Sequence, residues 1–279
     1  MVATPIGNLR DVTLRALDVL RTANIVAAED TRHTRRLLDH YGIAAKLVAA
    51  HEHNERAAAA RVIEWLRAGQ SVALVTDAGT PAVSDPGAGL VREVRSAGCR
   101  VVPIPGPSAL VTALSAAGIE STAFLFRGFL PAKSEARREA IEAHANVDAP
   151  VLYYEAPHRV RETLADLLAV LGPERRITLA RELTKVFESI HECTLGEVIG
   201  WIEADPNHAR GEFVLILHAA PLGDADAKAR EALRVLEVLM RELPASQAAK
   251  LAAQITGARR NDLYEAALRL RHEAQSPET

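Results

Sequence analysis

The chain has 279 residues, 48% of them apolar, a formal net charge of −3 and only two cysteines, Cys99 and Cys193. That length suits two compact lobes and a small appendage rather than one minimal domain, and two thiols so far apart make neither a disulfide framework nor a thiolate metal cluster. No run approaches the roughly 20 apolar residues that cross a bilayer, and no basic-then-apolar leader opens the chain. These features predict a cytoplasmic protein without a membrane partner. The negative balance excludes broad, nonspecific nucleic-acid binding, so an RNA ligand would need a local basic surface.

Helical periodicity predicts helices at 11–22, 31–40, 54–68, 87–97 and 107–117, alternating with β-branched runs at 24–28, 71–76 and 100–104. Such alternation predicts a parallel sheet covered by helices. After Gly118 strands are expected at 123–128, 150–155, 176–183 and 212–218, with fewer helices between them. Beyond Pro221 the strand signal ends and helices follow at 227–243, 245–255 and 261–271. The last two flank a glycine-containing turn with Asn261 as N-cap, which reads either as a helix-turn-helix or as a small bundle packed on the second lobe. The expected organisation is therefore an amino-terminal α/β lobe at 1–117, a second α/β lobe at 118–222 and a helical appendage at 223–279, frayed at its last residues.

Three β-branched runs end in Gly/Pro turns: Val2 to Asn8, Val72 to Gly87 and Val101 to Ser108. In an open α/β sheet, turns at the strands' carboxyl ends line the ligand crevice. Taken singly, each is equally a tight turn in which Gly and Pro serve only sterics. Between Val72 and Val91 there is no Lys or Arg, but Asp77 and Asp85 are present. A polyphosphate needs the opposite sign. The expected ligand is neutral or cationic and large enough to reach several loops, as a nucleoside with a sulfonium centre would be. Asp85, before Pro86, reads as turn structure and is left outside the expected site.

An ordered series of motifs runs along most of the chain: Ala3-Thr-Pro-Ile-Gly-Asn-Leu9, Ala28-Glu-Asp-Thr-Arg32, His51-Glu-His-Asn-Glu55, Asp77-Ala-Gly-Thr-Pro81, Ser84-Asp-Pro-Gly87, Pro103-Ile-Pro-Gly-Pro-Ser-Ala109, Gly128-Phe-Leu-Pro131, Tyr154-Glu-Ala-Pro-His-Arg159, Arg181-Glu-Leu-Thr-Lys185 and Gly211-Glu212. With them the chain resembles the tetrapyrrole-methylase-like S-adenosylmethionine methyltransferases, and within these the family that methylates a cytidine ribose 2′-hydroxyl in the decoding region of 16S ribosomal RNA. The resemblance implies a two-lobed α/β (class III) methyltransferase fold with a small helical carboxyl-terminal domain, S-adenosyl-L-methionine as cofactor, small-subunit ribosomal RNA, free or in the assembled subunit, as partner, and a homodimer. It places the cofactor between the lobes, against Pro5, Asp77, Ala78, Gly79, Val83, Ser84, Ser108, Ala109, Tyr154, Glu155, Ala156, Gly211, Glu212 and Phe213. Family members carry a longer first strand, so the strand before Pro5 is expected to be weakened, as a start codon placed too far downstream would cause.

A ribose hydroxyl is a poor nucleophile near neutral pH and calls for a base within reach of its proton. Glu29 or Asp30 is the first choice, with Glu182 and Lys185 as competitors; each is equally readable as a helix cap or a solvated ion pair. Phosphate contacts are expected from Arg32, Arg35 and Arg36, from a rim of Lys133, Arg137, Arg138, Arg159 and Arg161, and from Arg259 and Arg260 in the last helices. His51 and His53 with Glu55 could begin a metal site, but further ligands are lacking and a cap at Asn54 is the simpler reading, so no metal is expected. No Walker loop and no complete Gly-x-Gly-x-x-Gly turn occurs. The rivals are a porphyrinoid methyltransferase of the same fold, which usually opens on a Gly-Pro-Gly type loop, and a noncatalytic RNA-binding relative.

Overall fold

The computed structural model describes residues 1–50, 55–220 and 224–273. They form two compact units, Met1–Ala220 and Pro221–Thr279. Both sheets lie in the first unit. The finer division at 117/118 stays a proposal, supported by the change of sheet described below. The His51–His53 motif and its Asn54 cap fall outside the described residues.

The first half runs α1 (Leu14–Thr22), β1 (Ile25–Ala28), α2 (Thr31–His40), β2 (Leu47–Ala49), α3 (Glu55–Arg67), β3 (Val72–Val75), α4 (Ala88–Ser96) and α5 (Ala109–Ala116). Strand β1 pairs in parallel with β2 on one side and β3 on the other. All four residues of β1 are buried, as expected for a central parallel strand covered on both faces. The predicted helix at 11–22 begins only at Leu14, where the Thr13 side chain accepts the Ala16 N–H; a 3₁₀ turn at Leu9–Asp11, capped by Asn8, precedes it. The expected strand at 100–104 is reduced to a single parallel bridge between Val2 and Ile104. Met1–Thr4 thread between β3 and this segment. Val2 N–H donates to Leu74 O at 2.8 Å, and Ile104 N–H donates to Met1 O at 2.8 Å. The terminal ammonium donates to Val102 O at 3.0 Å. This opening segment thus lies between β3 and Ile104, joined to them by isolated backbone contacts.

The second half runs β4 (Leu125–Phe129), α6 (Ser134–Glu142), β5 (Val151–Glu155), α7 (Val160–Leu171), β6 (Arg176–Arg181), β7 (Ser189–Thr194), α8 (Leu195–Ala204) and β8 (Phe213–Leu217). The sheet order is β4-β5-β8-β6-β7. Only β4 and β5 are parallel. Strands β2 and β7 fall outside the expected elements: β2 has three residues, and in β7 exposed Ile190 and Glu192 alternate with half-buried neighbours, so neither carries an apolar run. The central strands are apolar on both faces. Tyr153, Leu215 and Leu179 pack under α6, α7 and α8. Leu152, Val214 and Ile216 face Leu110 and Ala113 of α5. A helix of the first half therefore covers the second sheet, and the strand ends of both halves meet at this seam.

The carboxyl-terminal unit holds α9 (Asp224–Met240), α10 (Ala245–Thr256) and α11 (Arg260–Glu273) around Leu236, Ala248, Ala249, Ala252, Leu263 and Ala267. Helix α11 starts one residue before Asn261, which lies in its first turn rather than capping it. Among the described residues no helix is long and apolar enough to cross a membrane.

Arg137, expected on a basic rim, is instead buried. Its Nε donates to Asp166 at 2.7 Å, and Asp166 also accepts from Arg138 Nε at 2.6 Å and Ser134 Oγ at 3.0 Å, tying α6 to α7. Burial alone would raise the Asp166 pKa, but these three donors outweigh it and hold it below the usual value. Its stabilising effect is therefore complete above the ordinary carboxylate pKa of about 3.9 and is lost as pH falls through the lower folded-state value. Asp166→Ala takes away the buried carboxylate that Arg137 Nε bonds, leaving it, among the described residues, only the exposed Glu162 at 3.5 Å as counter-ion, and is expected to cost about 3–5 kcal/mol. The denaturant midpoint at pH 7 checks this, and the gap between variant and wild type should narrow in strong acid.

Candidate active site at the seam

Four hydrogen bonds, two of them backbone to backbone, sew the three Gly/Pro turns together. Thr4 N–H donates to Gly79 O at 2.9 Å and Gly79 N–H donates back to Thr4 O at 3.1 Å. The Thr4 hydroxyl donates to Thr76 O at 3.2 Å, and the Thr80 hydroxyl to Pro107 O at 3.1 Å. The first and third turns approach so closely that a Cβ on Gly106 would stand 2.9 Å from the Ala3 Cβ. Within the middle turn, Ala82 and Ser84 hold positive φ of 70° and 61°. Such strain, on the order of 1–3 kcal/mol per residue, persists only where the surroundings over-determine it.

Beside these turns lies a cavity of about 470 Å³, inside the size range of small-molecule sites. Of the residues expected to hold a cofactor, Ala78, Gly79, Val83, Ser84, Ser108, Ala109, Tyr154, Glu155, Ala156, Glu212 and Phe213 line it. Pro5, Asp77 and Gly211 do not. Ile6 takes the place of Pro5, while Asp77 Oδ1 turns aside to accept the Asp30 N–H at 3.0 Å. The cavity adds Asp85, Phe129, His158 and Leu183, which are not among the expected site residues. Asp85, expected to be turn structure outside the site, is a lining residue; its sequence signal is a second carboxylate in a loop free of cations.

The walls are held from behind. Tyr154 receives the Leu110 N–H on its hydroxyl at 3.2 Å, and burial pushes its pKa up, so the phenol keeps its proton. The Phe126 and Phe129 rings meet it edge-on at 4.8 and 5.7 Å. The Glu155 carboxylate accepts from the Thr163 hydroxyl at 2.6 Å and the Ala156 N–H at 2.8 Å. Arg159, expected to meet RNA, sits 3.4 Å from that carboxylate and donates to Leu130 O at 2.6 Å, so its guanidinium braces the cavity wall from inside.

The candidate proton acceptors Glu29, Asp30, Glu182 and Lys185 have other partners. Asp30 caps α2, and its hydrogen bonds from the Arg32 guanidinium and Arg32 N–H hold its carboxyl far below the usual range. Lys185 Nζ lies 2.8 Å from Glu182 Oε1 and 2.9 Å from Glu212 Oε2. Burial would lower the Lys185 pKa, but the two carboxylates raise it; for Glu182 burial is likewise outweighed, by Lys185 and the Glu212 N–H. This pair therefore stays ionised and works as a clamp. Glu29 is half-buried, and Asp77 N–H approaches its carboxylate at 3.5 Å. Arg32, Arg35 and Arg36 form the exposed face of α2, opposite buried Thr34, Leu37 and Leu38. Lys133 and Arg161 are exposed on the first unit, and Arg259 and Arg260 are exposed at the start of α11 on the other.

The clamp leaves no room at Gly211. Its φ is +86°, and a Cβ there would fall 2.3 Å from Glu182 Cγ. Gly211→Ala should displace Glu182 and the neighbouring cavity wall at Glu212 and Phe213. The expected result is a binding constant for S-adenosylmethionine weakened at least about tenfold in calorimetry, which corresponds to about 1.4 kcal/mol.

Sequence comparison matches residues 1–199 to the tetrapyrrole (corrin/porphyrin) methylases and residues 226–271 to the RsmI C-terminal HTH domain. A protein of Pseudomonas aeruginosa named ribosomal RNA small subunit methyltransferase I is 53% identical over 96% of this chain and 95% of its own length. One of the same name from Escherichia coli O157:H7 is 51% identical over 96% of this chain and 93% of its own. Among solved structures, a diphthine synthase superposes with a TM-score of 0.63 at 16% identity, covering 81% of this chain and 92% of that one. The methyltransferase CobJ gives 0.57 at 21% identity, covering 77% and 90%. At these identities the solved structures establish the fold alone, whereas the full-length relatives go further: the chain belongs to the ribosomal RNA small subunit methyltransferase I family of the tetrapyrrole methylases.

Proposed function

We propose that the protein methylates the ribose 2′-hydroxyl of a cytidine in the decoding region of small-subunit ribosomal RNA, with S-adenosylmethionine as donor. The observation that carries this reading is the character of the cavity. Among the described residues no Lys or Arg side chain lines it, three carboxylates at Asp85, Glu155 and Glu212 do, and Ile6, Val83, Leu183 and Phe213 supply apolar walls. That set fits a nucleoside bearing a sulfonium and opposes a polyphosphate. The relatives' names support RNA of the small subunit as the acceptor.

When bound, the donor supplies an electrophilic methyl group. The chain's part is alignment and exclusion of water, for which well-oriented reactants gain about 7–11 kcal/mol. The braced Tyr154–Ala156 wall and the sewn turns are pre-ordered, so little conformational entropy is lost on binding. The exposed arginines of α2 and Arg259–Arg260 of the helical unit suit phosphate contacts, each unit contributing its own patch. Assembly as a homodimer belongs to the same proposal.

Incubating the protein and labelled donor with small ribosomal subunits that lack the modification should place label on a cytidine ribose, located by mass spectrometry. Label on a base, or none, overturns the reading. Replacing Arg35 and Arg36 by Glu should weaken subunit binding and flatten its salt dependence, with donor affinity unchanged. Light scattering should return twice the chain mass.

A further inference from the structure

We infer that Asp85 is the group that takes the proton from the acceptor hydroxyl during methyl transfer, an assignment that rests on the ribose reading above. Among the described residues five titratable side chains line the cavity: Asp85, Tyr154, Glu155, His158 and Glu212. Tyr154 keeps its own proton. Glu155 spends its carboxylate on Thr163, Ala156 and Arg159. Glu212 is salt-bridged to Lys185. His158 is exposed at the rim, on the turn after β5.

Asp85 differs from all of these. It is half-buried on the strained turn that follows β3, beside the positive-φ residue Ser84. The charges that face it are carboxylates, Glu29 from the end of β1 and Asp77 from the end of β3; the neutral groups are the Thr76 hydroxyl and the Tyr154 phenol. Burial first, and repulsion from Glu29 and Asp77 second, raise its pKa to about 6. A carboxylate tuned toward neutrality is a competent general base at physiological pH. It also places negative charge where a sulfonium would be attracted.

The atoms and charges balance. As the ribose oxygen attacks, an O–C bond forms and the C–S bond breaks with its electron pair kept by sulfur. The hydroxyl proton passes to the Asp85 carboxylate and later to water. Sulfonium and carboxylate thus lose their opposite charges together, so the low-dielectric cavity is left without an isolated ion.

The test uses the full chain and unmodified small subunits. Calorimetry of S-adenosylmethionine should show wild-type affinity rising between pH 5 and pH 7 as Asp85 ionises, with Asp85→Asn flat across that range. Single-turnover methyl transfer by wild type should fall as pH drops through about 6. Asp85→Asn should lose at least about 100-fold in rate while binding the donor at pH 5 as wild type does. Added formate should restore part of the rate to Asp85→Ala. Asp85→Asn transferring within threefold of wild type, or His158→Gln removing the acid limb instead, overturns the assignment. Loss of donor binding at all pH values in Asp85→Asn without formate rescue of Asp85→Ala overturns it too. If wild type itself leaves the ribose unlabelled, the underlying reading fails, whereas active wild type with equally active Asp85→Asn sinks the assignment alone.

Discussion

The reciprocal hydrogen bonds between Thr4 and Gly79 are the constraint on which the rest of the site depends. They are backbone to backbone, so they join two turns that lie far apart in the sequence without asking for any particular side chain at either end. Gly79 can accept this pairing at a φ of +79°, a left-handed conformation that costs glycine little. Once that pair is made, Thr80 reaches Pro107 and Gly106 rests on Ala3, and the third turn is placed as well. The cavity is what remains between these turns and the end of β5.

The opposite wall is rigid for a different reason. Strands β5 and β8 are apolar on both faces because helices cover both, so Tyr154, Glu155 and Phe213 leave the sheet from a fully packed base. The polar groups at the strand ends are then satisfied locally. Glu155 is buried but carries hydrogen bonds from a hydroxyl and a backbone amide, the condition under which a buried carboxylate is tolerated. Arg159 and Lys185 serve the same end: each neutralises carboxylates behind the wall. Neither cation lines the cavity, whereas Asp85 lines it and, among charged groups, faces only further carboxylates, which gives the cavity its preference for positive charge.

The clamp of Glu182, Lys185 and Glu212 also shows how far the site extends beyond its lining. Lys185 Cγ fills the space that a Cβ on Gly7 would need, and Glu182 fills the space beside Gly211. Two glycines from opposite ends of the unit are thus consumed by one loop, whose residues Glu182 and Thr184 both hold positive φ without being glycine. Strain of this kind is retained where it positions functional parts.

Much of the architecture follows from the order of residues alone. The alternation of β-branched runs with helical periodicity, the Gly/Pro turns and the absence of cations from 72 to 91 foretell an α/β fold and a cavity at the turns for an uncharged or cationic ligand, because these depend on short-range pattern and on charge count. Tertiary structure decided the partners. Asp85 and Asp77 are alike on the page, both carboxylates beside a turn, yet one lines the cavity and the other turns away to the Asp30 amide. Arg137 and Arg138 are adjacent and equally basic, yet one is buried against Asp166 and the other half in solvent. The strand expected at 100–104 amounts to one bridge, from Ile104 to Val2, a residue about a hundred positions away. Which way a polar side chain turns depends on groups brought close from distant parts of the chain, and local sequence carries no record of that distance.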